Sequence, residues 1–150
     1  MFSITISLTY RDSYFFNELD IEVQESINHI NSINMKLYLG DVLSYIKDNN
    51  LPYIEKSSTK KLGPFDDANI VVLNYETEKR SLIIKYLNIL SSLYEWRRKT
   101  CKLSSKKDVD EYFISERRIN DTVIEFLKIL NNGTRKKKSI IEKIKYIVGE

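Results

Sequence analysis

The start of the chain alternates apolar and polar residues, and this alternation predicts β-strands. Over residues 2–10, apolar residues alternate with serine and threonine, the period of two that is typical of a half-buried strand. A second alternation runs over 19–24, and turn-forming residues occupy 11–13 between the two segments. We therefore expect an antiparallel hairpin whose serine and threonine side chains face solvent or a partner.

The following segment mixes extended and helical patterns. Isoleucine recurs every third residue over 26–34, which is compatible with a loop, a 3₁₀ turn or an irregular helical turn. Apolar residues at helical spacing predict a short helix over about 35–48, ended by two asparagines. Residues 51–54 contain Pro52 and predict a short edge strand, since proline is tolerated only at the edges or ends of sheets.

Beyond residue 55 the pattern changes. Residues 56–64 combine small polar, charged and helix-breaking residues, which is typical of a linker. A wide apolar stripe then predicts helix over 67–100, as one helix or as two helices broken near Asn74. Further apolar stripes predict a helix over about 108–131 and a last helix over about 138–148.

Together these elements predict an α+β fold. A small β-rich module, residues 1–58, has the order strand-strand-helix-strand and precedes a helical bundle domain, residues 59–150. Ser105 or Asp108 is expected to cap the helix that follows residue 105, and Gly133 is expected to end it.

Composition places the chain among folded proteins of a reducing compartment. Of the 150 residues, 42% are apolar, and Cys101 is the only cysteine, so no disulfide forms within the chain. We find no apolar run of membrane-spanning length and no leader pattern, and we expect a cytoplasmic protein. The net charge of +3 is unevenly distributed, with −3 in residues 1–60 and +6 in residues 61–150.

The residue types that carry out catalysis occur singly. His29 is the only histidine, which leaves a conventional zinc site short of ligands, and no glycine-rich phosphate loop is present. The carboxylate pairs at 66–67 and 110–111 precede or begin predicted helices, where the helix dipole explains them. We therefore predict a non-enzymatic protein with no cofactor, metal or small-molecule substrate, and we keep an acidic metal site as a minor enzymatic hypothesis.

Aromatic residues are abundant, with ten tyrosines, six phenylalanines and one tryptophan. A core stripe is the ordinary explanation for those on predicted helices. Because tyrosine, tryptophan and arginine are also frequent anchors of protein interfaces, we predict an interface on the helical half. Its candidate residues are Tyr86, Leu90, Leu93, Tyr94 and Trp96.

Two basic clusters are candidates for contact with nucleic acid. Arg97, Arg98 and Lys99 lie at the predicted end of a helix, where cations complement the helix dipole without any ligand. The second cluster lies at a predicted helix start, where the dipole disfavours cations, so it is the better candidate for phosphate contact. It consists of Arg135, Lys136, Lys137 and Lys138.

The order of the predicted elements resembles that of the archaeal GINS subunits in which a β-rich B domain precedes a helical A domain. Residues 34–55, Asn-Met-Lys-Leu-Tyr-Leu-Gly-Asp-Val-Leu-Ser-Tyr-Ile-Lys-Asp-Asn-Asn-Leu-Pro-Tyr-Ile-Glu, look like the helix and strand that close such a B domain. Leu62-Gly-Pro-Phe65 and the long helix that ends in Tyr94-Glu-Trp-Arg-Arg98 look like the start of such an A domain.

The resemblance implies a heterotetrameric scaffold that joins the replicative helicase to a RecJ-like protein at the replication fork and has no catalytic activity. From the sequence we therefore predict a non-catalytic structural subunit of a DNA replication complex. Its partners are expected to be the other subunits of that complex, with direct DNA contact as a further expectation and with a location near the nucleoid. The alternative is a nucleic-acid-binding accessory protein, of a non-catalytic primase or viral type, that uses its basic helical half.

Overall fold

The computed structural model shows an antiparallel β-sheet with three helices packed on one face. It describes the backbone of residues 1–10, 17–25, 28–58, 68–100 and 105–147, and the side chains of these residues except those of 29–31, 58, 100 and 133–147. The elements in chain order are β1 (Phe2–Tyr10), β2 (Glu18–Glu25), β3 (Asn28–Lys36), α1 (Gly40–Asp48), β4 (Ile54–Ser58), β5 (Ala68–Thr77), α2 (Arg80–Thr100) and α3 (Lys106–Ile147).

The five strands lie in the order β3-β2-β1-β5-β4, and every neighbouring pair is antiparallel. β1 is the central strand, with Ile6 opposite Ile21 of β2 on one side and opposite Leu73 of β5 on the other. Because side chains alternate between the two faces of a strand, this register places the apolar residues of all three strands on one face. The serines and threonines of β1 lie on the opposite face.

The apolar face of the sheet and the helices form one core. Ile6, Ile21 and Leu73 are fully buried, and Phe126 of α3 stacks on Tyr86 of α2 with ring centroids 5.1 Å apart. Full burial of one such aliphatic side chain stabilises the fold by about 1.5–3 kcal/mol. The helical residues in this core are Val42, Ile46, Ile83, Tyr86, Leu87, Leu90, Ile119, Val123, Phe126, Leu127 and Leu130.

The two long helices form an antiparallel hairpin over the sheet. α2 contacts β3, and α3 contacts β5, α1 and α2. Ser105 caps α3, because its Oγ accepts a hydrogen bond from the N–H of Asp108 at 3.2 Å. Of the two residues predicted to cap this helix, Ser105 is therefore the one that does so. With 42 residues against 21, α3 is about twice as long as α2 and continues past the start of its partner.

The predicted α+β class is confirmed, but the order of the elements differs. The sheet-forming part is strand-strand-strand-helix-strand-strand, since residues 28–36 form β3 and residues 68–77 form β5. The helix predicted over 35–48 begins only at Gly40, and the helix predicted to start near 67 begins only at Arg80. Gly133 ends no helix, because α3 runs without a break through both segments for which we predicted separate helices.

The predicted boundary between residues 58 and 59 falls inside the sheet. β4 ends at Ser58 and pairs with β5, which begins at Ala68. β5 in turn pairs with β1, so residues on both sides of the predicted boundary belong to one sheet and one core. The helical half is therefore packed on the β-rich half and shares its core.

The end of α1 is fixed by a Schellman motif. The N–H of Leu51 donates to the carbonyl of Ile46 at 3.1 Å, and the N–H of Asn50 donates to that of Lys47 at 3.3 Å. Asn50 has a φ of 51°, the left-handed conformation that this motif requires at its turning residue. Ile46 and Leu51, the two residues joined by the longer of these hydrogen-bonded turns, are both buried in the core.

The left-handed conformation of Asn50 predicts opposite effects of alanine and glycine at two adjacent positions. We expect Asn50→Ala to lower the free energy of unfolding by about 1–2 kcal/mol and Asn50→Gly to cost less, because a Cβ is strained at positive φ. At the neighbouring Asn49, with a φ of −98°, we expect the reverse order, with alanine preferred to glycine. Urea denaturation of the four variants measures this, and the same order at both positions would contradict it.

The buried Tyr86 predicts a loss of stability at alkaline pH. Burial, followed by the Glu125 carboxylate that accepts its hydroxyl hydrogen bond at 2.8 Å, raises the pKa of Tyr86 to about 12. As the pH rises, the unfolded chain loses this proton first, near its ordinary value of 10.0. The contribution of Tyr86 to stability is therefore complete below that pH and declines as the pH approaches about 12.

We expect Tyr86→Phe to flatten this decline. The matched control is Tyr38→Phe, an exposed position that leaves Tyr86 in place and keeps the decline. Chemical denaturation at a series of alkaline pH values compares the two variants with the unchanged chain. Equal pH dependence of all three proteins would exclude Tyr86 as its source.

Candidate functional site

The strongest candidate site is the tip of the helical hairpin, defined as residues 93–99 at the end of α2 and 105–116 at the start of α3. Because the two helices are antiparallel and in contact, these two ends lie side by side. The tip contains three of the five predicted interface residues, Leu93, Tyr94 and Trp96, and the whole first basic cluster, 97–99. Two surfaces that we predicted separately therefore occupy one place.

At the centre of the tip, Arg97 forms an ion pair with Glu116. The nearest nitrogen and oxygen are 3.5 Å apart, and the two side chains are only 12% and 11% exposed. The guanidinium carbon of Arg97 also lies 4.3 Å from the ring centroid of Tyr112, within the range of a cation–π interaction. Arg97 is thus held on two sides, by a carboxylate and by an aromatic face.

Glu116 connects this ion pair to the segment between β3 and α1. The N–H of Tyr38 donates to the carboxylate of Glu116 at 3.4 Å. One turn further along α3, the buried amide of Asn120 donates to the carbonyl of Tyr38 at 3.0 Å and to that of Glu116 at 2.8 Å. These hydrogen bonds join the hairpin tip to the sheet and fix the position of Glu116.

Tyr112 completes the polar centre of the tip. Burial raises the pKa of Tyr112, and the positive charge of Arg97 opposes that rise. The Tyr112 ring meets Phe113 edge to face, with centroids 5.9 Å apart. A neutral tyrosine beneath a charged guanidinium stays an acceptable cation–π partner across the physiological pH range.

Around this centre the tip exposes large apolar side chains. Trp96 is 40% exposed, Phe113 60% and Ile114 51%. Side chains of this size are costly to leave in water, and when they are grouped they mark surfaces that bind other proteins. Phe113 and Ile114 were missing from the predicted interface, although both are exposed.

The exposed cations of the tip are mostly lysines. Arg98 pairs with Glu95 at 3.3 Å on the surface of α2, and Lys99, Lys106 and Lys107 are exposed. Arg97 is therefore the only member of the cluster 97–99 that is largely buried, and its charge is directed to Glu116 and not to solvent.

Two of the predicted interface residues, Tyr86 and Leu90, lie in the core. Tyr86 is 2% exposed and Leu90 is fully buried, since both point into the core between α2, α3 and the sheet. Leu93 and Tyr94 are half-buried and pack against that core. The second basic cluster, 135–138, lies within α3, and its side chains are outside the described residues.

Among the described side chains, no group of three or more His, Cys, Asp or Glu residues is placed to hold a metal ion. The side chain of His29 and the whole of Cys101 lie outside the described residues. No helix in the described ranges is both long enough and apolar enough to cross a membrane.

Comparison of the chain with protein-family models, with curated proteins and with solved structures found no match.

The buried ion pair predicts unequal costs for two substitutions in the tip. We expect Glu116→Gln to lower the free energy of unfolding by about 1.5–3 kcal/mol, because Arg97 keeps its charge in a nearly solvent-free position and loses its carboxylate. The control is Arg98→Met, which removes an exposed pair whose contribution is about 0.2–1 kcal/mol.

A double-mutant cycle with Arg97→Met and Glu116→Gln, followed by urea denaturation, separates the pair from its surroundings. A coupling energy near zero, or equal costs for Glu116→Gln and Arg98→Met, would contradict the organising role of the Arg97–Glu116 pair.

Proposed function

We propose that this chain is a non-catalytic subunit that binds another protein through the hairpin tip, as a structural member of a DNA replication complex. The observation that carries the proposal is the exposure of three large apolar side chains, Trp96, Phe113 and Ile114, on the two helix ends that the Arg97–Glu116 pair joins.

The composition of the tip favours a protein partner. Tryptophan, tyrosine and arginine dominate the binding energy of protein interfaces, usually in a central cluster surrounded by polar residues. Trp96 and Phe113 supply exposed aromatic side chains at this end of the hairpin, and Arg98, Lys99, Lys106 and Lys107 supply exposed polar ones.

The centre of the tip is also held by contacts within the chain. The contacts of Glu116 and Asn120 with Tyr38 fix one side of it, and Tyr112 and Arg97 fix its centre. Binding a prearranged surface costs less conformational entropy than ordering a flexible one, so more of the energy of apolar burial contributes to affinity.

The replication context rests on the sequence resemblance alone. That resemblance concerned a β-rich module followed by a helical domain, and the chain has a five-stranded sheet that shares its core with the helices. The proposal of a binding subunit rests on the tip and is independent of the family.

The nucleic-acid-binding alternative has weaker support in the described residues. Arg97 is buried against Glu116 and Arg98 is paired with Glu95, so two of the three cations in the first cluster have carboxylate partners. Phosphate contact at the tip would fall mainly to Lys99, Lys106 and Lys107, which are exposed.

The test is co-expression of the chain with candidate replication subunits encoded by the same genome, followed by light scattering and affinity measurement. We expect the double variant Trp96→Ala/Phe113→Ala to bind at least about tenfold more weakly than the unchanged chain. The control is Ile54→Ala, which removes an equally exposed apolar side chain from β4, far from the tip in sequence, and is expected to leave affinity unchanged.

Unchanged affinity of the tip variant would exclude the tip as the interface. A well-folded chain that binds no replication protein would exclude the replication context. DNA binding whose salt dependence decreases when Lys99, Lys106 and Lys107 are reversed in charge would favour the nucleic-acid alternative instead.

A further inference from the structure

The two edges of the sheet differ in how well they are protected from pairing with another strand. β4 is an edge strand of five residues, follows Pro52 and carries the charged residues Glu55 and Lys56. β3, at the opposite edge, has nine residues, no proline, and one residue, Lys36, that is charged at neutral pH. Short, charged, proline-flanked edges resist pairing, whereas long uncharged edges invite it.

The register of β3 identifies its outward-facing backbone groups. The N–H of Leu37 donates to the carbonyl of Asn17 at 3.1 Å, in line with the pairing of Lys36 with Glu18 in the ladder. Hydrogen-bonded and non-hydrogen-bonded pairs alternate along an antiparallel ladder, so Met35 and Ile33 also turn their N–H and C=O groups to β2. The backbone groups of Ser32, Asn34 and Lys36 then point away from the sheet.

Nothing in the described part of the chain pairs with that outer side. The order of the sheet ends at β3. Apart from the backbone ladder with β2, the described hydrogen bonds of residues 32–36 are those of the side-chain amide of Asn34, which donates to Glu18 and Asp20 of β2. Three residues therefore present backbone donors and acceptors in a row, and all three side chains are exposed. The register shift opposite Val23 and Gln24 limits the regular part of this edge to residues 31–36.

We propose that a second copy of this chain pairs antiparallel with β3, about a twofold axis at Asn34, to form a continuous ten-stranded sheet. In this register Asn34 lies opposite Asn34 of the second copy, and Ser32 lies opposite Lys36. The three outward residues of each strand then form about six backbone hydrogen bonds across the axis.

Charge complementarity argues for a second copy as the occupant. Each strand brings one cation, Lys36, and the twofold register places it opposite the small Ser32 and never opposite the other Lys36. Within its own sheet Ser32 lies opposite Glu22 of β2. Lys36 of the second copy, Ser32 and Glu22 would therefore lie side by side on three neighbouring strands, and the long lysine side chain could extend over the serine towards the Glu22 carboxylate. The sheet edge is thus self-complementary, as an interface with twofold symmetry must be.

The buried face of the sheet also continues across this axis. Ile33, 9% exposed, lies opposite the fully buried Met35 of the second copy, and the reverse pair is its symmetry equivalent. Pairing in this register therefore extends the apolar layer beneath the helices and leaves the polar side chains on the opposite face. A register displaced by one residue would place polar side chains against the apolar layer.

The first test introduces a charge at position 32. Light scattering of the full chain over a range of concentrations is expected to show a monomer–dimer equilibrium, and Ser32→Lys is expected to weaken it about tenfold by opposing Lys36 of the second copy. Ser32→Glu is expected to strengthen it, and the exchange Ser32→Lys/Lys36→Ser to restore it.

Within one copy these charges act on stability with the opposite sign. A lysine at position 32 lies beside Glu22 and favours the monomer fold, whereas a glutamate there opposes it. Thermal denaturation at low concentration, where the monomer dominates, therefore distinguishes loss of pairing from loss of folding.

The second test uses cysteines in a Cys101→Ser background. Asn34→Cys is expected to form a disulfide-linked dimer on mild oxidation, because it lies opposite itself across the axis. Ser32→Cys, on the same face of the same strand, is the matched control. Its two copies lie four residues apart along the strands, beyond the reach of a disulfide.

A chain that stays monomeric at high concentration, or equal cross-linking of the two cysteine variants, would overturn the proposal. A monomer that instead takes up an extended peptide from another protein at this edge would overturn the choice of occupant. The tip variants leave residues 32, 34 and 36 unchanged, so the tests of this proposal and of the hairpin tip can fail independently.

Discussion

The pairing of β1 with β5 is the contact on which the rest of the structure depends. β1 is central, and without β5 it would lie at the edge of a three-stranded meander with β4 unattached. The register joins Ile4 to Tyr75 and Leu8 to Val71, so two segments separated by more than half the sheet-forming sequence must meet for the sheet to form. Closing so long a loop costs entropy, which is recovered only when the apolar face it creates is covered by the helices.

That pairing also fixes where the helices lie. β5 ends at Thr77 and α2 begins at Arg80, so the direction of the strand and a two-residue connection determine where the helix starts. α3 then returns alongside α2 and brings Glu116 and Asn120 against Tyr38, at the end of β3. The polar centre of the tip thus exists because both the strand that precedes α2 and the segment that follows β3 belong to one sheet.

Periodicity was sufficient to predict the elements that are half-buried and regular. β1, β2 and α1 each bury one side, so their apolar residues recur every two or every three to four positions. β5 was predicted as helix because Ile70, Val71, Val72 and Leu73 form a continuous apolar run, which has no period. Its alternation is visible only from the partner strands, where Val71 and Leu73 turn to the core.

β3 was missed for a different physical reason. Isoleucine every third residue contradicts a regular strand, and the register shift opposite Val23 and Gln24 adds one residue to β3 at that point, which breaks the period of two. Only the last part of the strand, where Ile33 and Met35 are buried and Ser32 and Asn34 exposed, alternates as a strand should.

The candidate site could be predicted only in part. Composition identifies the residue types that are common in interfaces, but periodicity does not show which of them are exposed. Trp96 was predicted with Tyr86 and Leu90 as part of one apolar stripe, but these residues differ in their exposure. Tyr86 and Leu90 lie where α2 is covered by the sheet and α3, whereas Trp96 lies near its end, where the cover is incomplete. A helix that ends beyond its own core has apolar residues left over, and burial by a partner is the arrangement that lowers their free energy. The Arg97–Glu116 pair joins the two helix ends without covering these residues, and both features follow from the antiparallel return of α3.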